Sequence, residues 1–233
     1  MSELEKVREQ GLDKFYTKED IAKKCMEVLY RKYNKEFRLT IEPSAGNGSF
    51  LKQVRGGKIG IDIEPEGIGI KKGDFLMYSP DIDGEGILVV GNPPFGKGCS
   101  TAVRFFNHAA KFAEVIAFII PKTFRRTSIQ NRLNLNYKLV HDEDIPENSF
   151  IPNMQVKCCY QIWERQEEER KKVDRVTKHE DWEFIGYGPK DENNQPTVPE
   201  GVDIAVRAYG GNCGEITQNM EGLRPKSWHF MKA

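Results

Sequence analysis

LTIEPSAGNGSF, residues 39–50, begins as an apolar, β-branched run, passes through Glu42-Pro43 and opens into Gly46-Asn47-Gly48. The run reads as a strand that ends at Pro43, because proline cannot donate to a sheet ladder. Glycines at such an exit let the backbone come close to a ligand, and a helix starting just after them adds free N–H groups. The third glycine of a dinucleotide fingerprint is missing, since Leu51 stands three residues after Gly48, so a pyrophosphate-containing cofactor is disfavoured. Asp62, closing the next apolar run in KIGIDIE, is placed to accept both hydroxyls of a ribose. A nucleoside without a pyrophosphate fits the pair better.

Beyond this stretch, KIGIDIE, ILVVGNPP and VIAFIIPKTF are further short apolar runs that end in turn or breaker residues, with helical patterns in GSFLKQV and CSTAVRFFNHAAKFA between them. Residues 18–33 place Ile21, Met26, Leu29 and Tyr33 near helical spacing, with Thr17 as N-cap. Strands alternating with helices predict an α/β fold on a parallel sheet, with ligands off the carboxyl ends of the strands, where the unusual residues fall. YKLVHDEDI and VKCCYQIWER read as two more strands, joined by PENSFIPNMQ. The expected division is an α/β domain over 1–164, a mixed-charge linker or helix over 165–178, and a small β-rich appendage over 179–233 that contains DIAVRAY and GEITQ. In the appendage, Arg207, Tyr209 and Lys226 are candidates to touch substrate, or else belong to an extension that covers the sheet edge.

Composition narrows the function classes. With 233 residues, 38% hydrophobic and 30% charged, the chain has ample material for a core. No apolar run nears the roughly 20 residues of a membrane helix, and MSELEKVREQ is no signal peptide, so a cytoplasmic or other nucleic-acid-containing intracellular setting is expected, with no membrane. Five cysteines without CxxC or Cys/His spacing predict reduced thiols and no metal site. Formal net charge is zero, so any contact with nucleic acid must be local.

The stretch ILVVGNPPFGKG, residues 87–98, carries the chemistry. Two prolines make the strand exit stiff, and they hold Asn92 and Phe95 in place. An exocyclic amine on adenine is a poor nucleophile, because its lone pair is delocalised into the ring. The Asn92 side-chain oxygen and the Pro93 carbonyl are two preorganised acceptors for its hydrogens, which favours the pyramidal amine of the transition state. Phe95 would stack on a base that is unstacked or already single-stranded. In KKGDFL, Asp74 is an acceptor for a second exocyclic amine, with Phe75 beside its ring, or else a turn cap.

With these residues in order, the chain resembles the class I S-adenosylmethionine-dependent methyltransferases, and among them the amino-methyltransferases with Asn-Pro-Pro-aromatic, over about residues 13–164. FYT (Phe15, Tyr16, Thr17) is similar to their N-terminal methionine-holding motif. EPSAGNGSF, with Glu42, Ser44, Gly46, Gly48 and Phe50, resembles the cofactor loop. Asp62 and Ile63 match the ribose position, Asp74-Phe75 the adenine-contacting pair, and Asn92-Pro93-Pro94-Phe95 the catalytic loop.

The resemblance implies a Rossmann-like, seven-stranded, mostly parallel sheet with helices on both faces. It also implies S-adenosyl-L-methionine as cofactor, Asn92 contacting both cofactor and target, and no metal. The expected activity is N6-adenine methylation of nucleic acid, DNA ahead of RNA because FYT lies upstream of the cofactor loop. Lys122, Arg125 and Arg126 would meet phosphates. The alternatives are methylation of a protein glutamine amide, or a cofactor-binding inactive subunit. Phe95 stands where the commonest DNA enzymes have Tyr, and no long target-recognition domain is present, so a protein partner or homodimer would supply target recognition.

Overall fold

The computed structural model describes residues 15–82, 86–153, 155–174, 178–209 and 212–233. The chain divides into two units, Met1–Val173 and Asp174–Ala233.

The first unit runs β1 (Tyr16–Thr17), α1 (Glu19–Tyr33), β2 (Leu39–Pro43), β3 (Lys58–Asp62), β4 (Ile70–Lys72), β5 (Ile87–Gly91), α2 (Ser100–Ala109), β6 (Val115–Pro121), α3 (Thr127–Gln130), β7 (Tyr137–Asp144), β8 (Phe150–Ile151) and β9 (Cys158–Arg165). Seven strands form one sheet in the order β4-β3-β2-β5-β6-β9-β7, with β9 antiparallel to both neighbours and the other pairs parallel. This is the seven-stranded, mostly parallel sheet expected.

Every residue of β5 and β6 is buried, as strands covered on both faces require. Alternate residues feed two cores. Val89, Ile116 and Phe118 pack with Phe105 and Phe106 of α2, whereas Leu88, Val90 and Ala117 pack with Met26 and Leu29 of α1. Chain direction reverses at β2: the chain moves outward to β3 and β4, then returns to pair β5 on the other side of β2. In open parallel sheets the ligand crevice lies at such a switch point.

Several local expectations change. Lys18, not Thr17, is the N-cap of α1, and no side chain caps it; Thr17 is the last residue of β1. GSFLKQV forms only a single tight turn at Leu51–Gln53, because Val54 is already extended and Gly56-Gly57 follow within a few residues. β4 contains one apolar residue and sits at the sheet edge, so it shows no strand pattern in the sequence. The mixed-charge run forms no helix over 166–174. Arg170 Nε donates to the Tyr137 carbonyl at 3.0 Å, its guanidinium lies 5.7 Å from the Trp163 ring, and Val173 N–H donates to Asn131 Oδ1. Among the described residues no helix is long and apolar enough to cross a membrane.

The second unit is an antiparallel sheet of β10 (Lys178–His179), β11 (Trp182–Ile185), β12 (Ile204–Arg207), β13 (Ile216–Thr217) and β14 (Trp228–Lys232), ordered β10-β11-β14-β12-β13. Its core is Ala205, Trp228 and Phe230, with Ile185, Val198, Val202, Met220 and Leu223 packed against it. DIAVRAY and GEITQ supply β12 and β13; the two aromatic strands WEFI and WHFMK supply β11 and β14.

Candidate active site

The loop after β2 is held from beneath by Glu42. Its side chain is 3% exposed, and its two oxygens accept the Phe50 N–H at 3.2 Å and the Leu51 N–H at 2.6 Å. Burial pushes this carboxyl up to about 8, against the two backbone donors that favour the charge. Buried, and with both oxygens on the loop backbone, Glu42 shapes the loop from beneath. Phe50, expected at the ligand, is 1% exposed and lies in the α1-side core, because the turn at Leu51 points it inward.

Ser44, Gly46 and Gly48 have positive φ of 53°, 51° and 75°. A Cβ on Gly46 would lie 2.5 Å from Cε1 of Tyr16, so the tyrosine ring needs glycine there. Asp62, ending β3, accepts the Gly46 N–H at 2.8 Å and the Glu64 N–H at 2.7 Å. Tyr16 donates its hydroxyl to Glu66 at 2.5 Å; burial, then the Glu66 carboxylate, raises its phenol well above the ordinary value. Ser49 Oγ donates to the Thr17 carbonyl at 2.6 Å. Tyr16 and Thr17 are thereby bound to the glycine loop.

Asp74 accepts the Leu76 N–H at 2.9 Å and caps the turn Phe75–Met77, while its second oxygen has no partner among the described residues. The Phe75 side chain corrects the expectation: it is 3% exposed, with Phe105 and His108 rings 5.2 and 5.0 Å away, so its ring belongs to the core. Ile63, by contrast, is 50% exposed beside Asp62.

Across the switch point, β5 delivers Asn92. Its Nδ2 donates to the Phe15 carbonyl at 3.0 Å, and because a carbonyl only accepts, the amide orientation is settled. Its Oδ1 is buried and has no hydrogen-bond partner among the described residues. Buried acceptors without donors are uncommon, and each calls for a partner. Pro93 is buried, and Pro94 and Phe95 are half-buried, with Phe95 packed on the α1-side core. Gly96 follows because a Cβ there would meet the Thr101 backbone nitrogen at 3.0 Å.

The structure thus brings Phe15, Tyr16, Thr17, Gly46, Gly48, Asp62 and Asn92 together through direct contacts or one loop. The basic cluster is different. Lys122 Nζ lies 2.5 Å from Asp144, and Arg125 is held by both oxygens of Asp142 and by Asp144 at 2.8 Å. Their charges are matched within the chain; Arg126 is exposed and has no ion pair among the described residues.

Sequence reasoning missed the loop between β7 and β9. Its β8 pairs antiparallel with β1, Thr17 opposite Phe150 and Tyr16 opposite Ile151, and it frames a cavity of about 470 Å³ lined by Lys122, Ile145, Phe150, Gln155, Lys157 and Cys158. Only the proline-bounded apolar pair Phe150-Ile151 hints at this strand in the sequence.

Strand order, reversed last strand and switch-point loops define the class I methyltransferase fold. The chain is similar in structure to a candidate class I S-adenosylmethionine-dependent methyltransferase of Listeria monocytogenes, with TM-score 0.52 and 15% identity over 69% of this chain and 64% of that one. A candidate RNA methyltransferase of Pyrococcus horikoshii is similar at TM-score 0.50 and 15% identity, covering 66% of this chain and 88% of that one. No protein-family model matches the sequence, and a comparison with curated proteins finds no match.

Proposed function

We propose that the chain is an S-adenosylmethionine-dependent methyltransferase acting on the N6 amine of adenine in nucleic acid, DNA ahead of RNA. The carrying observation is the partnerless Asn92 Oδ1, an acceptor held rigid by the Nδ2 contact to Phe15. It is what a planar amine with hydrogens to give would meet.

The residues fit the cofactor. Gly46 and Gly48 keep the loop backbone open, Asp62 stands at the ribose position, Ile63 offers exposed apolar area to a purine face, and Asp74 has an oxygen for its amine. When bound, S-adenosylmethionine supplies an activated methyl group on a sulfonium, a good leaving group. The chain's part is then positioning. Asn92 Oδ1 and the Pro93 carbonyl accept the two amine hydrogens, drawing the nitrogen lone pair out of the ring, and Phe95 stacks on the base. No residue need be a strong base in this scheme: the nitrogen would become cationic on gaining the methyl group and then give its proton to water.

The test is transfer of a labelled methyl group by wild type and Asn92→Ala to duplex DNA, single-stranded DNA, RNA and protein, followed by nucleoside analysis. The expected result is N6-methyladenine in one nucleic acid, with a loss of about 100-fold or more in the variant, the scale of removing one preorganised polar group. Cofactor binding by calorimetry should survive. Undiminished transfer by Asn92→Ala, or label in protein alone, would overturn the reading.

A further inference from the structure

The second unit has one covered sheet face and one open one. Residues facing the core are Ile185, Ala205, Trp228 and Phe230. Period-two alternation and the register Phe184↔Met231, Ile204↔Met231 and Val206↔His229 put the neighbouring residues on the opposite face. That face bears an unbroken chain of four rings across β10, β11 and β14. His179 stacks on Trp182 at 6.0 Å and 9°, Trp182 meets Phe184 edge-on at 5.3 Å, and Phe184 meets His229 at 5.8 Å. Phe184 is 45% exposed. Aliphatic Ile204, Val206 and Met231 continue the face to Ile216, which is 67% exposed.

We infer that this face binds unpaired bases of single-stranded nucleic acid by stacking. Two observations favour bases over a protein partner. His179, Phe184 and His229 are exposed and Trp182 is half-buried; His179 and Trp182 stack and the other neighbours meet edge-on, so contiguous aromatic surface is offered on which bases stack without regard to sequence. Five strands about 4.8 Å apart and about four residues long make a face of roughly 20 by 13 Å, or on the order of 300 Å². That falls well short of the roughly 800 Å² per partner of a stable protein interface, yet it accommodates two or three bases. Arg207, Tyr209 and Lys226, considered from the sequence, add no phosphate contact to this face: Arg207 lies over the Trp228 ring and pairs Glu215, Lys226 bonds Gln195, and the Tyr209 hydroxyl bonds Ser227.

Residues 174–233 carry ten acidic side chains against seven Lys and Arg. Affinity must therefore come from stacking, and its salt dependence is shallow. This inference goes beyond the transferase reading and does not depend on it.

The experiment titrates the full chain, without methyl donor, into fluorescein-labelled, non-self-complementary 12-mers of DNA and RNA and into a DNA duplex, reading anisotropy. Single strands should bind at least about tenfold tighter than duplex, and Kd should change less than about tenfold between 50 and 200 mM salt, as expected for one or two phosphate contacts. Trp182→Leu and Phe184→Leu should each weaken binding about tenfold, while Trp182→Phe stays within about threefold.

Trp163 and Trp228 are buried at 2% and 8% exposure, so quenching of the accessible tryptophan emission in wild type reports Trp182 independently of whether a variant folds. Four results would overturn the inference: no saturable binding to either single strand at about 10 µM, binding without tryptophan quenching, indifference to both leucine variants, or self-association lost on Trp182→Leu. None of these bears on Asn92, whose test is transfer.

Discussion

Replacing Glu42 with glutamine separates loop-holding from charge. In the wild type, burial lifts this carboxyl from an ordinary 4.5 to about 8. The folded state therefore holds a proton that the unfolded state releases between those values. The stabilising contribution is full below pH 4.5 and is lost as pH rises through the window, levelling off above 8. Integrated from pH 5 to pH 8, the loss is about 3–4 kcal/mol. In Glu42→Gln the side chain cannot ionise, but its amide offers one acceptor where two backbone N–H groups, from Phe50 and Leu51, need partners. The substitution therefore costs about 1–3 kcal/mol at every pH.

The two effects cross. At pH 5 wild type should be more stable; by pH 8 the variant should equal or exceed it. For a chain of this length, a difference of about 3–4 kcal/mol corresponds to roughly 6–16 °C in relative Tm. Thermal and urea denaturation of both proteins at half-unit steps from about pH 5 to 8 measures the difference curve, in which other titrating groups cancel. Parallel stability curves would rule out a buried, proton-holding Glu42, and a widening advantage of wild type with pH would show that the two N–H donors outweigh burial.

Gly46→Ala should destabilise by about 1–2 kcal/mol through its left-handed backbone alone, and it must also displace the Tyr16 ring that a Cβ would meet at 2.5 Å. Calorimetry should show weakened cofactor binding together with a Tm lowered by several degrees; unchanged affinity would detach FYT from the site. Arg125→Ala should cost under about 1 kcal/mol in stability, as exposed ion pairs do. Because Asp142 and Asp144 already hold its charge, KM for nucleic acid should stay within about twofold, whereas Arg126→Ala should raise it. A raised KM for Arg125→Ala would restore it as a phosphate contact.

What the sequence made legible was punctuation. Strands ending in Pro43, in Asp62 and in Gly91 just before Asn92 are visible because breakers and lone polar residues interrupt apolar runs, and the sheet places those ends side by side. Side-chain direction was not legible. Phe50 and Phe75 lie within motif-like segments, yet turn geometry sends both rings into the cores. Nor do local patterns show partners far along the chain: the acids matching Lys122 and Arg125 come from β7, 17 to 22 residues on. The Phe15–Asn92 bond spans 77 positions. Glu42 reads as a ligand contact because a strand-end acid next to a glycine loop looks alike in sequence whether it faces outward or down; only burial distinguishes the two.

The β1–β8 pairing is two residues long, extended by Lys18 N–H donating to the Ser149 carbonyl at 3.0 Å. So short a ladder has a low free energy of local opening compared with the fully buried central strands. When it opens, FYT is held only from the glycine-loop side, by Ser49 on the Thr17 carbonyl and by the Tyr16 hydroxyl on Glu66, and the Phe15 anchor of Asn92 Nδ2 loosens while the sheet persists. Whatever binds the closed form stabilises the ladder by mass action. Amide protection at Tyr16, Thr17, Phe150 and Ile151 therefore rises and falls with occupancy, which makes this clasp the gauge of whether the site is filled.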